Sequence, residues 1–322
     1  MRKMNFKGIS LKDSPSYQSN NLTYSPEADN IAYMRHMDVI VQHCTSSMNK
    51  KIATRAEADC VCTCKYVSVH DFDLLVVATP VGLQVWTSNA ASIRFHAPIE
   101  DLIPAGLDES HREGAFLTGI SAAESGFIYV GTSWGTILRL EVQGEDDDVL
   151  ALAPLGAPTG SPVSATAASD NVVASGNERG GLTFYPGPSS SGDIEELFRV
   201  EEEGAAVTSM VCREWAVAAA LSTGIINVYR ADAQERILEI HGHARIIHSL
   251  YLRDSIMVSC GDDQVVCVWN FSPSGARCDT QVDFVENHHV PDRLLVGAVT
   301  TGSELMAVAY DDEHIYERKL TL

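Results

Sequence analysis

No stretch of this chain is long and apolar enough to span a bilayer. Its longest apolar runs, such as residues 215–221, fall far short of the roughly 20 residues that a membrane helix needs. Residues 1–20 are polar, with Arg2, Lys3 and Lys7 but no apolar core behind them, which is not the make-up of a signal peptide. No glycine follows Met1 for myristoylation, and the closing Lys-Leu-Thr-Leu is no prenylation box. The expectation is a soluble, cytoplasmic chain without direct membrane insertion. Basic residues are also scarce: 23 Lys and Arg stand against 43 Asp and Glu, for a formal charge of −20. That balance argues against nucleic acid, whose phosphates need clustered Lys and Arg, and against anionic membranes. It suits solubility, or attraction to a basic partner segment.

A sustained 3.6-residue apolar period is missing as well, so no major helix is expected. The sequence contains no Walker-type phosphate loop, no HExxH, no nucleophile elbow and no Rossmann fingerprint. No cofactor is therefore implied. What is present is an ordinary soluble composition, 45% hydrophobic and 20% charged over 322 residues. There are eight cysteines, of which Cys60, Cys62 and Cys64 alternate along the strand-like run DCVCTCKYVSV. Alternate thiols on a straight strand stand about 6.6 Å apart, too far to chelate one zinc through bonds of about 2.3 Å or to form a disulfide between neighbours. Reduced core cysteines account for them better.

The most informative stretch is HGHARIIHSLYLRDSIMVSCGDDQVVCVWNF, residues 241–271. It opens on Gly242-His243, passes two β-like runs and the turn Gly261-Asp262-Asp263, and closes on an alternating strand ending at Trp269-Asn270. The residue chemistry predicts a relay. His243 can donate to the Asp263 carboxylate and accept from the Ser259 hydroxyl, and Ser259 can accept from the Trp269 indole. Each group satisfies the next, so four polar side chains can be buried at little net cost. His, Ser and Asp also spell the parts of a hydrolase triad. Here, however, the serine faces an indole, with no oxyanion donors and no room for substrate.

Related turn-plus-strand signatures recur. They read NIAYMRHMDVIVQH, LLVVATPVGLQVW, FIYVGTSWGTILRL, VVASGNERGGLTFY, AVAAALSTGIINVY, IMVSCGDDQVVCVW and LMAVAYDDEHIYER. Each is a β-branched or small-residue strand, a polar or Gly turn, then an alternating strand, which is hairpin grammar. Their spacing of about 40 to 54 residues fits a propeller period and no helical repeat. Seven blades are expected near residues 21–56, 60–97, 115–155, 162–201, 205–240 and 245–285, with a seventh from about Arg293. The last lacks an outer strand, and residues 4–10 can supply it, hiding an exposed edge. Small residues at 164–168 and 205–209 suit the crowded axis, and insertions fall at 100–113, 143–148, 186–193 and 271–279.

The order GH, strand, turn, strand, Asp turn, strand, Trp in residues 241–271 resembles a WD repeat. The chain as a whole resembles the WD-repeat β-propeller family. The match to the motif is specific only in blade six. In blades two to five Pro80, Trp134, Arg179 and Thr223 stand near the turn-Asp position, so the His243–Ser259–Asp263–Trp269 relay is expected once. The resemblance implies an all-β fold: one seven-bladed WD-repeat β-propeller over residues 1–322, closed by the N-terminal strand (residues 3–11) in the last blade.

The family resemblance further implies a non-catalytic scaffold, a monomer on its own, that binds a peptide or partner protein on one propeller face. The turns between second and third strands and the loops before each first strand share one end. On it the reading places Arg35, His36, Trp134, Glu178, Arg179, Thr223, Arg245, Asp311 and Asp312. Trp134 is either an interface anchor there or folded back on a neighbouring blade. Acidic loops at 145–148 and 201–203 offer a docking mode for a basic segment. Two rival readings are an enzyme or metal site at the channel mouth, formed by His288 or His289 with Asp311, Asp312 or His314, and a purely structural subunit. By family analogy alone the latter is ciliary or vesicular.

Overall fold

A computed structural model describes residues 7–44, 49–53, 63–145, 148–158, 160–188, 194–202, 204–272 and 280–320. The seven self-similar hairpins are the second and third strands of seven four-stranded antiparallel sheets. Blade one runs from Thr23–Ser25 to Asn49–Ala53, blade two from Thr63–Val69 to Ile93–Pro98, and blade three from Leu117–Ala123 to Val149–Leu155. Blade four runs from Val163–Ala168 to Phe198–Glu201, blade five from Val207–Arg213 to Glu235–His241, and blade six from Ile247–Arg253 to Gln281–His289. Blade seven joins Leu295–Thr300, Glu304–Ala309 and His314–Lys319 to Lys7–Ser10 at its outer edge. That closing strand pairs in register from Lys7 with Glu317 to Ser10 with His314. Residues 3–6 of the expected strand lie outside the described residues, as do Cys60, Cys62 and most of the 271–279 insertion. Cys64 is buried.

The packing closes the ring as the hydrogen bonding does. Seven apolar clusters each join two neighbouring blades, for example Val217, Ala219 and Tyr229 of blade five against Phe184 and Leu182 of blade four. The cluster between blades seven and one is built from Leu22, Tyr24, Tyr33, Val296 and Met306. Strands nearest the axis use small residues, such as Ser164 to Ala168, because seven innermost strands converge there. The 100–113 insertion holds two short helices, Ile99–Leu102 and Glu109–Glu113, where no regular element was expected. Asp108 caps the second by accepting from the His111 backbone N–H at 3.1 Å.

Five blades carry an irregularity at the same place. Between the first and second strands of blades three to seven the register slips at Gly119, Ser164, Thr208, His248 and Val296. Such a bulge leaves one residue outside the ladder, with backbone groups free to bond elsewhere. All five lie at the same end of the innermost strands, around one mouth of the central channel.

Candidate functional site

Residues 11–22, between the closing strand and blade one, form a strap over that mouth. Asn20 N–H donates to the carbonyl of bulge residue His248 at 3.0 Å, and Asn21 N–H donates to that of Val296 at 3.0 Å. The Asn20 amide donates to the Thr208 carbonyl at 3.3 Å and accepts from Ser209 Oγ at 2.6 Å. The carbonyls that the bulges release are thus partners for the strap, which explains why an irregular segment sits in a fixed place. The Asn21 side chain ties the strap back on itself and to blade one, accepting from Met34 N–H at 2.6 Å and donating to the Ser16 and Met34 carbonyls.

Between these anchors the strap presents Tyr17 to solvent, 48% exposed. Its ring meets Tyr310 edge-on, centroids 5.5 Å apart, and His248 at 5.1 Å. Tyr310, from the hairpin turn of blade seven, is 47% exposed. Two carboxylates flank the pair. Asp262 accepts from Tyr17 at 3.3 Å and from His248 Nε2 at 2.9 Å, and Asp311 follows Tyr310 in the same turn and is exposed. Burial, with Asp262 nearby, pushes the Tyr17 phenol up from its ordinary value, so it stays a neutral donor. The arrangement is two wet aromatic rings between acidic groups.

The sequence-selected face residues divide. Arg35 pairs with Asp13 of the strap, His36 N–H donates to Ser16 Oγ at 2.5 Å, and Asp311 N–H donates to the Pro15 carbonyl at 3.2 Å. These three gather along the strap. Glu178, Arg179, Thr223 and Arg245 are exposed on neighbouring turns and loops of the same end. Two others are not surface groups. Trp134 is 0% exposed, packed with Ile99, Ala115 and Leu117, because the helix-bearing loop before blade three folds over it. Its indole N–H has no hydrogen-bond partner among the described residues. Asp312 is 5% exposed and is held by Arg293, by His314 Nδ1 at 2.8 Å and by the Tyr316 hydroxyl at 2.6 Å. Burial opposes its charge, but these donors win and hold its carboxyl below the usual range.

The channel-mouth constellation does not assemble. His288 and His289 lie in the outermost strand of blade six, paired with Val266 and Val265, and His288 faces Glu286 at 3.4 Å. His314 is engaged with Asp312 instead. Among the described residues no group of three or more His, Cys, Asp or Glu side chains can hold a metal ion, and no helix is long and apolar enough to cross a membrane.

In blade six the relay takes shape. His243 Nδ1 donates to Asp263 at 3.0 Å, His243 Nε2 accepts from Ser259 Oγ at 2.8 Å, and Trp269 Nε1 donates to Ser259 Oγ at 2.9 Å. Ala244 N–H at 2.9 Å and Val265 N–H at 3.3 Å complete the Asp263 carboxylate. Burial works to raise that carboxyl, and the His243 hydrogen bond and these N–H groups more than offset it, so its value is lowered. The His243 side chain has no exposed surface. Every member is committed to another, and the group is a structural clasp with no open valence for a reactant.

Known proteins are similar to this chain in sequence or in fold. Human WD repeat-containing protein 54 is 25% identical over 250 residues, covering 74% of this chain and 72% of that protein. Two solved structures share the fold alone, both with a TM-score of 0.73 over 99% of this chain. One is a chain of the mitotic checkpoint complex at 16% identity, 94% of it covered. The other is Chaetomium thermophilum Raptor at 10% identity, 29% of it covered. The WDR54 family model matches residues 43–318, and with the seven-bladed ring and the blade-six clasp this places the chain in the WDR54 family of WD-repeat propellers.

Proposed function

We propose that this chain is a non-catalytic interaction scaffold whose strap-covered face receives a basic segment of a protein partner. WD-repeat propellers are in general protein-interaction platforms, and the finer reading rests on one observation, the exposed Tyr17–Tyr310 pair between Asp262 and Asp311. An aromatic face attracts an ammonium or guanidinium by about 0.5–2 kcal/mol, and an adjacent carboxylate adds a charged acceptor. The formal charge of −20 favours the same partner at long range. Both rings are already ordered by neighbours, which lowers the entropic cost of docking.

The test is a peptide array probed with the intact protein. Lys- and Arg-containing sequences should be retained over acidic ones, retention should fall as salt rises, and the variant Tyr17→Ser/Tyr310→Ser should lose it while its melting temperature stays close to wild type. Retention that ignores both charge and the two tyrosines would overturn the assignment.

A further inference from the structure

The central channel has a second end, away from the strap. There it widens to a basin of about 570 Å³ lined by residues of blades two to six with Tyr24 and Pro26 of blade one, rimmed by Arg213 and Arg253 and by Glu124, Asp170, Glu214 and Asp254. Inward of it, beneath the strap, lies a cavity of about 180 Å³. Lys65, on the innermost strand of blade two, lines both spaces, and so does Met210. The Lys65 side chain therefore borders the channel where the two spaces meet.

That ammonium has no ion pair or hydrogen bond among the described residues. The ionisable group that acts on it is Cys212, whose thiol burial pushes up to about 12, so it stays neutral and supplies no counter-charge. A second polar group in the same inner cavity is unmatched. The Gln18 side-chain amide, on the underside of the strap, makes no hydrogen bond among the described residues, and its Oε1 is fully enclosed. Three of the hydroxyls nearby are spent on the protein: Ser164 Oγ donates to the Val207 carbonyl at 2.5 Å, Thr118 Oγ1 to the Ser164 carbonyl at 3.3 Å, and Ser209 Oγ to Asn20. Lys65 and Gln18 are half-buried, and an unpaired cation and an idle amide that line one cavity leave donors facing it that a polar ligand can satisfy.

We infer that the channel is a binding site for a small monocarboxylate, which enters from the wide end and seats its carboxylate in the cavity shared by Lys65 and Gln18. One ammonium balances one negative charge, and the amide can turn its N–H₂ to the second oxygen. Leu117, Ile120, Ala165 and Met210 supply apolar wall for a short aliphatic tail. The four rim carboxylates disfavour a phosphate dianion or a polyacid, which narrows the ligand to a single charge. This site faces the end opposite the peptide surface proposed above and stands or falls separately from it.

The test uses the intact protein and propionate, with propionamide as the uncharged isostere and saturation-transfer NMR as the readout. Propionate should bind and propionamide should not. Lys65→Met and Lys65→Gln should each weaken propionate by at least about tenfold, the loss expected for a charge-assisted hydrogen bond, and Gln18→Ala should weaken it less. A parallel arm compares Gly-Gly-Ala carrying a free C-terminal carboxylate with its amidated form. Binding of propionate assigns the site to a free metabolite, whereas binding of the free peptide alone assigns it to a protein terminus. Equal binding of propionamide, no binding of either carboxylate, or an unchanged affinity in both folded Lys65 variants would overturn the inference.

Discussion

In blade six the indole of Trp269 reaches His243 through Ser259, and His243 reaches the turn through Asp263. In blade five Tyr229 stands at the place of Trp269 and Ala219 at that of Ser259, as the strand registers show. His243 N–H donates to Gly224 in the turn of blade five, and Glu202 N–H donates to Gly180 in the turn of blade four, so Glu202 is the loop counterpart of His243. The Tyr229 hydroxyl donates straight to the Glu202 carboxylate, which Arg236 also approaches at 3.4 Å. Burial and the Glu202 contact raise the Tyr229 phenol, keeping it a donor. Both blades therefore tie an aromatic side chain of the third strand to the loop entering the blade. Blade six uses four side chains and also holds the turn. Blade five uses two and leaves Thr223 idle. The tie matters more than the residues that make it.

Removing one member from each tie sharpens the contrast. His243→Ala should have the largest effect, about 2–4 kcal/mol, because it strands the buried Ser259 hydroxyl and leaves Asp263 without its main donor. Denaturant unfolding measures it, and in a double-mutant cycle Ser259→Ala should add much less than its own single effect. Tyr229→Phe should cost only about 1 kcal/mol, since Glu202 keeps Arg236 and partial contact with water. The two blades should also differ in acid. The Asp263 carboxyl is lowered in the folded state, so the stability it contributes is present above the unfolded-state value and is lost as pH falls through the folded one. Unfolding free energy measured across that acid range should fall less steeply in His243→Ala than in wild type, while Tyr229→Phe should keep the wild-type slope. The smallest effect belongs to Thr223→Asp, within about 0.5 kcal/mol, because an aspartate at that turn finds no histidine in the loop before blade five. A large gain would mean that the turn, and not the tie, is the seat of the stabilisation.

The hairpins were legible in sequence because each is local: two runs of period 2 around a polar turn, repeated seven times. The blade-six relay was legible because its four residue types sit in a familiar order. The blade-five tie was not, since Glu202 and Tyr229 carry no motif and become partners only through the register of two blades. Trp134 occupies the slot that Asp263 fills in blade six, a turn position that left it either an exposed anchor or folded back on a neighbouring blade. Its burial depends on Ile99 and Ala115 arriving from the preceding loop. The strap was illegible for a stronger reason. Residues 11–22 have no periodicity, and their partners Thr208, His248 and Val296 lie some two hundred residues or more further on. Nothing short-range in 11–22 marks it as the lining of a channel mouth.

The pairing of Lys7–Ser10 with His314–Lys319 sets a timetable for the chain. A ribosome delivers the first of these strands about 300 residues before the second, so the circle cannot be shut until the later strand has emerged. Blades one to six can each form their own local hairpins as they emerge, but the latch waits for the seventh, and a contact spanning about 300 residues is a slow one to find. Until then the edge of the last blade and the bulge carbonyls near the axis lie open, and the unfinished ring carries the unpaired groups that make a folding intermediate prone to aggregate.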